Sequence, residues 1–125
     1  MKSIESGSYS IHFNEQCYVK LNSFLEHSNF SKIFILVDTN THDNCLPEFL
    51  SNISYSSEFE IIEMEAGELH KNLDTCTQVW HALSELEADR KSLLINLGGG
   101  VVTDLGGFIA SAFKRGISFI NVPTS

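Results

Sequence analysis

The sequence predicts an α/β fold in which a doubly wound, mostly parallel sheet is flanked by helices. Short, continuous apolar runs rich in β-branched residues alternate with stretches whose apolar residues recur with a helical period. Runs of the first kind are typical of strands covered on both faces, and parallel strands need helical crossovers between them. A complete eight-stranded α/β barrel is excluded, because it needs about twice the 125 residues of this chain.

Five segments are predicted to be strands. The segment nearest the N-terminus is expected at an edge of the sheet, and three later ones are apolar runs bounded by polar or glycine residues. Another, shorter run, residues 59–64, precedes the predicted helix at residues 73–86. In chain order, the predicted strands cover residues 9–13, 33–37, 59–64, 93–97 and 117–122.

Four segments are predicted to be helices. In one, apolar residues fall at i, i+3, i+6, i+7, i+10 and i+13 from Leu73; in another they fall at i, i+1, i+4, i+7, i+8 and i+11 from Val101. Each pattern places its apolar residues on one stripe that faces a core. The predicted helices cover residues 18–27, 43–50, 73–86 and 101–112.

The charge balance excludes polyanionic partners. The chain has 16 acidic and 8 basic side chains, a formal net charge of −8, and no cluster of lysine and arginine. Such a chain is a poor electrostatic partner for DNA, RNA or an anionic membrane surface. A hydrophobic content of 42% is too high for a disordered chain.

The N-terminus and the cysteines predict a soluble, cytoplasmic domain. Residues 1–10 are polar and lack the apolar region of a secretory signal, and no apolar run approaches the length of a membrane span. The 3 cysteines form no C-x-x-C pair, so neither a disulfide framework nor a zinc ribbon is indicated. The 5 histidines show no metal-ligand spacing, and no residue is assigned to a metal.

The strongest candidate site is a glycine turn, residues 98–100, between a predicted strand and a predicted helix. Glycine lets a ligand approach the main chain and permits positive φ, and the helix N-terminus offers free N–H groups and a positive dipole end to a phosphate. The alternative is a tight turn without a ligand. The G-x-G-x-x-G pattern fails at Thr103, and no P-loop motif occurs. The residues alone therefore predict a nucleotide or phosphate ligand.

Four other segments are weaker candidates, each with a structural alternative. Asp38 and Asn40 follow a strand at its carboxyl edge, where they could equally form a helix N-cap or an Asx turn. Residues 67–71 could be a solvated turn. Asp104 is expected in the first turn of the glycine-led helix, where a carboxylate suits the dipole in any case. Residues 114–116 could be a charged helix end with a glycine C-cap.

Taken together, these segments resemble the N-terminal, NAD-binding part of the 3-dehydroquinate synthase family. Residues 97–108 read L-G-G-G-V-V-T-D-L-G-G-F, similar to the family's G-G-G-V-x-G-D-L-x-G-F. Residues 115–125 contain an R-G-I and a V-P-T-S similar to R-G-V and V-P-T-T. Gly67 and Glu68 with Lys71 match G-E-x-x-K, and the segment from Asp38 matches D-x-N. The blocks occur in the same order as in the family. Two residues depart from the family motifs: Thr103 replaces a glycine and Ser125 replaces a threonine.

The resemblance implies a Rossmann-like fold, bound NAD, and a role for each matched residue. Gly99, Gly100 and Val101 would supply main-chain groups around the NAD pyrophosphate, and Asp104 would lie beside the dinucleotide. Asp38 and Asn40 would hold the adenosine end, Glu68 and Lys71 would line the cleft, and Thr124 and Ser125 would offer hydroxyls near the nicotinamide half or the diphosphate. Arg115, as the catalytic residue, would reach a substrate anion across a homodimer interface.

The family's enzymes close a seven-carbon sugar-acid phosphate into dehydroquinate, with NAD reduced and reoxidised in each cycle and a divalent metal, zinc or cobalt. The resemblance implies that residues 1–125 form a truncated NAD-binding domain, because the family's Glu and His metal ligands lie in a helical C-terminal part that this chain lacks. Three alternatives stay open: another sugar-phosphate cyclase, a glycerol-dehydrogenase-like metal-dependent oxidoreductase, and a non-catalytic nucleotide-binding module.

Overall fold

A computed structural model describes the main chain of residues 3–6, 9–12, 15–53, 59–65 and 73–123, and the side chains of these segments from residue 18 onwards. No helix in these segments is long and apolar enough to cross a bilayer. The elements, in chain order, are β1 (Ser3–Ser6), β2 (Tyr9–His12), α1 (Glu15–His27), β3 (Ile33–Asp38), α2 (Thr39–Asn44), α3 (Leu46–Ser51), β4 (Phe59–Met64), α4 (Leu73–Glu85), β5 (Leu93–Gly98), α5 (Gly100–Ala112), a 3₁₀ turn (Phe113–Arg115) and β6 (Ser118–Pro123).

The described strands form one sheet in the order β2-β1-β6-β5-β3-β4. The neighbours β6, β5, β3 and β4 are parallel, whereas β1 is antiparallel to both β6 and β2. The prediction of a mostly parallel, doubly wound sheet is confirmed, and β2 is the predicted edge strand. Strand β1 was not predicted, because its sequence S-I-E-S contains no apolar run.

Each face of the parallel strands packs against its own helices, because alternate side chains point to opposite faces. Along β5, Leu93, Ile95 and Leu97 belong to the core under α1 and α3. Leu94 faces the other way, into the core under α4 and α5. Residues 33–37 and 93–97 are fully covered, as their continuous apolar runs predict for strands buried on both sides.

The predicted helix at residues 43–50 is wrong in detail, because this region forms two short helices, α2 and α3, separated at Cys45. Asp38 caps α2 directly after β3, so the first helix begins earlier than predicted. Pro47 lies near the start of α3. A proline ring clashes with the carbonyl four residues earlier, so α2 cannot continue through this position.

Helix α5 lies very close to the strand from which it emerges. A Cβ added to Gly98 would lie 2.7 Å from Cγ2 and 2.8 Å from Cβ of Val102. A Cβ added to Gly99 or Gly100 would have no atom of a described residue within 4 Å. The first glycine of the turn is therefore required by packing, and the other two are not.

We predict that Gly98→Ala lowers the free energy of unfolding by about 1–3 kcal/mol, because the methyl group pushes Val102 out of its position. Gly100→Ala is the matched control and should leave stability unchanged or slightly raised, because its methyl group enters open space. Chemical denaturation of both variants provides the measurement, and equal effects would contradict this account of the turn.

Candidate functional site

The candidate site lies at the carboxyl edge of the sheet, between β3 and β5. The chain leaves β3 toward α3, which packs on one face, and leaves β5 toward α5, which packs on the other. A crevice opens where neighbouring strands send their chains to opposite faces, and ligands of open α/β sheets bind there. Leu36 pairs with Asn96 across the two strands, so Asp38 and Gly98, two residues further on, reach the edge together.

The glycine turn leads directly into the N-terminus of α5. Gly99 is the N-cap residue, with φ −77° and ψ −168°, and no side chain of the described residues caps the helix. The first N–H groups of a helix have no partner within it. The expected positive φ is not found in the glycine turn, because Gly116 is the one described glycine with positive φ. The glycines of the turn therefore contribute through their missing Cβ atoms. The turn offers open N–H donors at a positive helix end.

Thr103 ties the helix back to the turn. Its N–H donates to the Gly99 carbonyl at 3.1 Å, and its hydroxyl donates to the carbonyls of Gly99 and Gly100, each at 3.3 Å. The side chain is half-buried. The family's glycine position therefore accepts threonine here without disturbing the helix.

Asp38 is the N-cap of α2, so the structural alternative considered for this residue is confirmed. Its Oδ1 accepts from Thr41 N at 2.8 Å and from the Thr41 hydroxyl at 3.0 Å. The Asp38 N–H in turn donates to the Thr41 hydroxyl at 3.0 Å. Both of these hydrogen bonds to the carboxylate are accepted by Oδ1.

Three more of the predicted residues lie on the helices that begin at this edge. Asn40 is exposed in the first turn of α2, and Val101 is half-buried as the second residue of α5. Asp104 is exposed, but its predicted place in the first turn is wrong. Because α5 begins at Gly100, Asp104 is in the second turn, where the helix dipole acts on it less. Glu68, Lys71, Thr124 and Ser125 lie outside the described residues.

Arg115 does not join the glycine turn within this chain. It follows the far end of α5, whose 13 residues at 1.5 Å each span roughly 20 Å. Lys114 and Arg115 have φ of 45° and 69°, followed by Gly116 at 108°. The exposed Arg115 therefore lies on an unusual left-handed turn before β6, at the amino edge of the parallel strands. The predicted glycine cap belongs to the 3₁₀ turn, not to α5 itself.

Two residues without a predicted role, His42 of α2 and Glu63 of β4, lie close to each other. His42 Nε2 of α2 is 4.0 Å from Glu63 Oε1 of β4, and His42 Nδ1 is 3.2 Å from Asp43 Oδ1. The sequence does not predict the His42–Glu63 pair, because the two residues are distant in the chain and come together only when β3 and β4 pair. Among the described residues, no group of three or more His, Cys, Asp or Glu side chains could hold a metal ion.

The two cysteines with described side chains, Cys45 and Cys76, are free thiols. Cys76 is buried on α4, and burial raises the pKa of its thiol. A thiol with a raised pKa is a poor nucleophile. Cys45 is half-buried and free, as expected for structural thiols.

Comparison with known sequences decides the family. The sequence profile described as 3-dehydroquinate synthase N-terminal matches residues 61–125, more than half of the chain. The chain belongs to the 3-dehydroquinate synthase family. The 3-dehydroquinate synthase of Parabacteroides distasonis is 46% identical over 106 residues, 85% of this chain and 30% of that protein. The Campylobacter jejuni enzyme is 40% identical over 98% of this chain and 32% of its own length. The chain spans about a third of the length of these synthases.

Solved structures show the same fold. A structure of 2-deoxy-scyllo-inosose synthase complexed with carbaglucose-6-phosphate, NAD⁺ and Co²⁺ matches with a TM-score of 0.80 and 23% identity, covering 98% of this chain and 34% of that one. A 2-epi-5-epi-valiolone synthase from Streptomyces hygroscopicus, with NAD⁺ and Zn²⁺ bound, matches with a TM-score of 0.62 and 24% identity over 76% of this chain and 28% of its own. The Rossmann-like fold predicted from the family resemblance is confirmed.

The capping role of Asp38 can be measured apart from any ligand. We predict that Asp38→Ala lowers the free energy of unfolding by about 1 kcal/mol, whereas Asp38→Asn changes it little, because asparagine caps helices nearly as well as aspartate. Thermal or chemical denaturation of both variants provides the test. A loss as large in the asparagine variant as in the alanine variant would mean that the charge, not the cap, stabilises this turn.

Proposed function

We propose that this chain is the NAD-binding region of a cytoplasmic 3-dehydroquinate synthase, which converts 3-deoxy-D-arabino-heptulosonate 7-phosphate to 3-dehydroquinate and phosphate in the shikimate pathway. One observation carries the proposal. In a member of this family, the α5 N-terminus lies at the crevice between β3 and β5, with no side-chain cap from the described residues and with no described atom near the Cβ positions of Gly99 and Gly100.

The glycine turn suits the pyrophosphate of NAD. Side chains at Gly99 and Gly100 would fill the open space that a phosphate needs. The N–H groups at the start of α5, from Gly100 and Val101, would donate to the phosphate oxygens, where the helix dipole also favours negative charge. Main-chain donors explain how a chain of net charge −8 holds an anionic dinucleotide without a basic patch.

The Asp38 carboxylate suits the adenosine end. Its Oδ1 is held by Thr41, so the orientation of the carboxylate is fixed and Oδ2 would accept from a ribose hydroxyl. Asn40 lies in the first turn of the same helix. From the family resemblance, Glu68, Lys71, Thr124 and Ser125 would complete the cleft.

When bound, NAD supplies one chemistry, the reversible acceptance of a hydride from a substrate carbon. The residues described here bind and orient it: the glycine turn holds the pyrophosphate, Thr103 holds the turn, and Asp38 holds a ribose. The described residues contain no group of His, Cys, Asp or Glu side chains that fits the divalent metal of the family. Its ligands would belong to a helical part of the protein beyond this NAD-binding domain.

Arg115 would act on the substrate of a second subunit. It lies roughly 20 Å from the glycine turn of its own chain, at the other end of α5. A guanidinium binds carboxylate or phosphate through two parallel hydrogen bonds. In a homodimer, the partner's copy of this exposed residue would reach the anionic substrate, so each site would combine one subunit's glycine turn with the other's arginine.

Gly99→Val should abolish NAD binding by the protein made from its full reading frame. The branched side chain would occupy the open space at the turn and keep the pyrophosphate from the N–H groups. Gly107→Ala is the matched control, because a Cβ there makes only ordinary contact with the Phe119 ring, at 3.5 Å. Calorimetric titration with NAD should give wild-type affinity for Gly107→Ala. Wild-type affinity in Gly99→Val would remove the glycine turn from the site.

A mixing experiment tests the shared site. Arg115→Ala and Gly99→Val should each be inactive in phosphate release from the sugar-acid phosphate. When both chains are expressed together, half of the dimers are mixed and each mixed dimer has one intact site, so activity should return to about a quarter of wild type. Failure of the mixture to regain activity, with mixed dimers verified by two affinity tags, would place Arg115 outside a shared site.

A further inference from the structure

A carboxamide is buried where β5 lies under α5. Asn96 is 0% exposed within a strand that is otherwise apolar. Its Nδ2 donates to Asn121 Oδ1 at 2.9 Å, and the two residues are paired across β5 and β6. Its Oδ1 accepts no hydrogen bond from any described residue. An unsatisfied buried acceptor destabilises the folded state, so an amide at this position needs a compensating role.

The amide occupies the space of a missing side chain on α5. A Cβ added to Gly106 would overlap Oδ1, Cγ and Nδ2 of Asn96. One of the two Cα hydrogens of Gly106 points along this Cβ direction, toward Oδ1. A Cα–H···O contact of this kind is weakly favourable and partly offsets the lost hydrogen bond. Asn96 and Gly106 are therefore sterically matched: the amide requires a glycine above it.

This contact and that of Gly98 with Val102 fix α5 at two points. At Gly98 the strand lacks a Cβ, and at Gly106 the helix lacks one. Val102 and Gly106 are one helical turn apart, about 6 Å, and Gly98 and Asn96 are two strand residues apart, about 6.6 Å. The two spacings agree, so the helix can neither slide along β5 nor rotate on it without losing a contact.

We propose that Asn96 is a positioning residue for the NAD site: its amide, oriented by Asn121 and inserted against Gly106, sets the distance of α5 from the sheet and thereby the position of the N–H groups of the glycine turn. The proposal rests on the proposed function. An apolar side chain of similar size would fill the same volume, but it would lack the lateral bond to β6 that fixes the orientation of the amide.

The test measures NAD affinity and thermal stability in the protein made from its full reading frame. Asn96→Ala removes the group that spaces the helix, and Gly106→Ala forces the helix away from the amide. Each should raise the NAD dissociation constant on the order of tenfold, equivalent to about 1.4 kcal/mol. In the double variant the Gly106→Ala methyl group enters the space left by the amide, so affinity should return to within about threefold of wild type.

Leu25→Ala is the control for stability. Leu25 is fully buried in α1, in the core on the opposite face of the sheet, so its truncation destabilises the fold without moving α5. It should lower the melting temperature at least as much as Asn96→Ala does and leave the NAD dissociation constant unchanged. A merely structural role for Asn96 predicts the same behaviour for both variants.

The outcomes separate the two claims. If wild type binds NAD and Asn96→Ala binds it equally well, or if Leu25→Ala weakens binding as much as Asn96→Ala, the positioning role is overturned and the proposed function stands. A wild-type protein that does not bind NAD overturns the proposed function, and the positioning role with it. Should Asn96→Ala fail to fold, Asn121→Ala replaces it, because it frees the amide without altering α5; an unchanged dissociation constant there also overturns the proposal.

Discussion

The close approach of α5 to β5 is the constraint on which the candidate site depends. Helices usually pack on a sheet through side chains on both elements. Here the strand has no Cβ under Val102 and the helix has none over Asn96. The helix axis is thereby fixed, and its N-terminus opens at the sheet edge beside Asp38. An α5 held further away would leave the same glycines in the sequence but move their N–H groups from the crevice.

Strand order explains why the ligand site is expected at one place along this edge. The chain moves outward from β3 to β4, then returns across β3 to β5 and continues to β6. When the chain reverses its direction across the sheet, its connecting helices also change from one face to the other. Every crossover therefore keeps the right-handed sense that parallel strands require. At the reversal, the neighbouring strands β3 and β5 send their chains to opposite faces, and Asp38 and Gly98 are the terminal residues of those two strands. An acidic chain can bind an anion here because the donors are main-chain groups.

The sequence predicts the parts of this arrangement that depend on local pattern. The buried strands at residues 33–38 and 93–98 and the stripes of α4 and α5 follow from runs and periods that need no knowledge of the fold. The missed features depend on contacts between distant segments. In the sequence, Asn96 is a polar residue in an apolar run with no evident partner. Its partner, Asn121, is placed beside it only by the pairing of β5 with β6. The His42–Glu63 pair forms because β4 lies beside β3. The helix break at Cys45 depends on the Asp38 cap, which starts α2 early, and on Pro47, which prevents α2 from continuing.

Helix α5 also relates the glycine turn to Arg115. The glycines begin this 13-residue helix and Arg115 follows its end, so a helix fixed at Val102 and Gly106 carries both. At the far end, Lys114 and Arg115 have left-handed φ values, which cost free energy and persist only where the surrounding structure holds them. In the proposed homodimer, one helix would therefore place a phosphate-binding turn in its own subunit and a substrate-binding arginine in the other. A shift of α5 at Asn96 would then alter both halves of the site at once, which is a reason for a buried amide to persist where an apolar residue would pack at less cost.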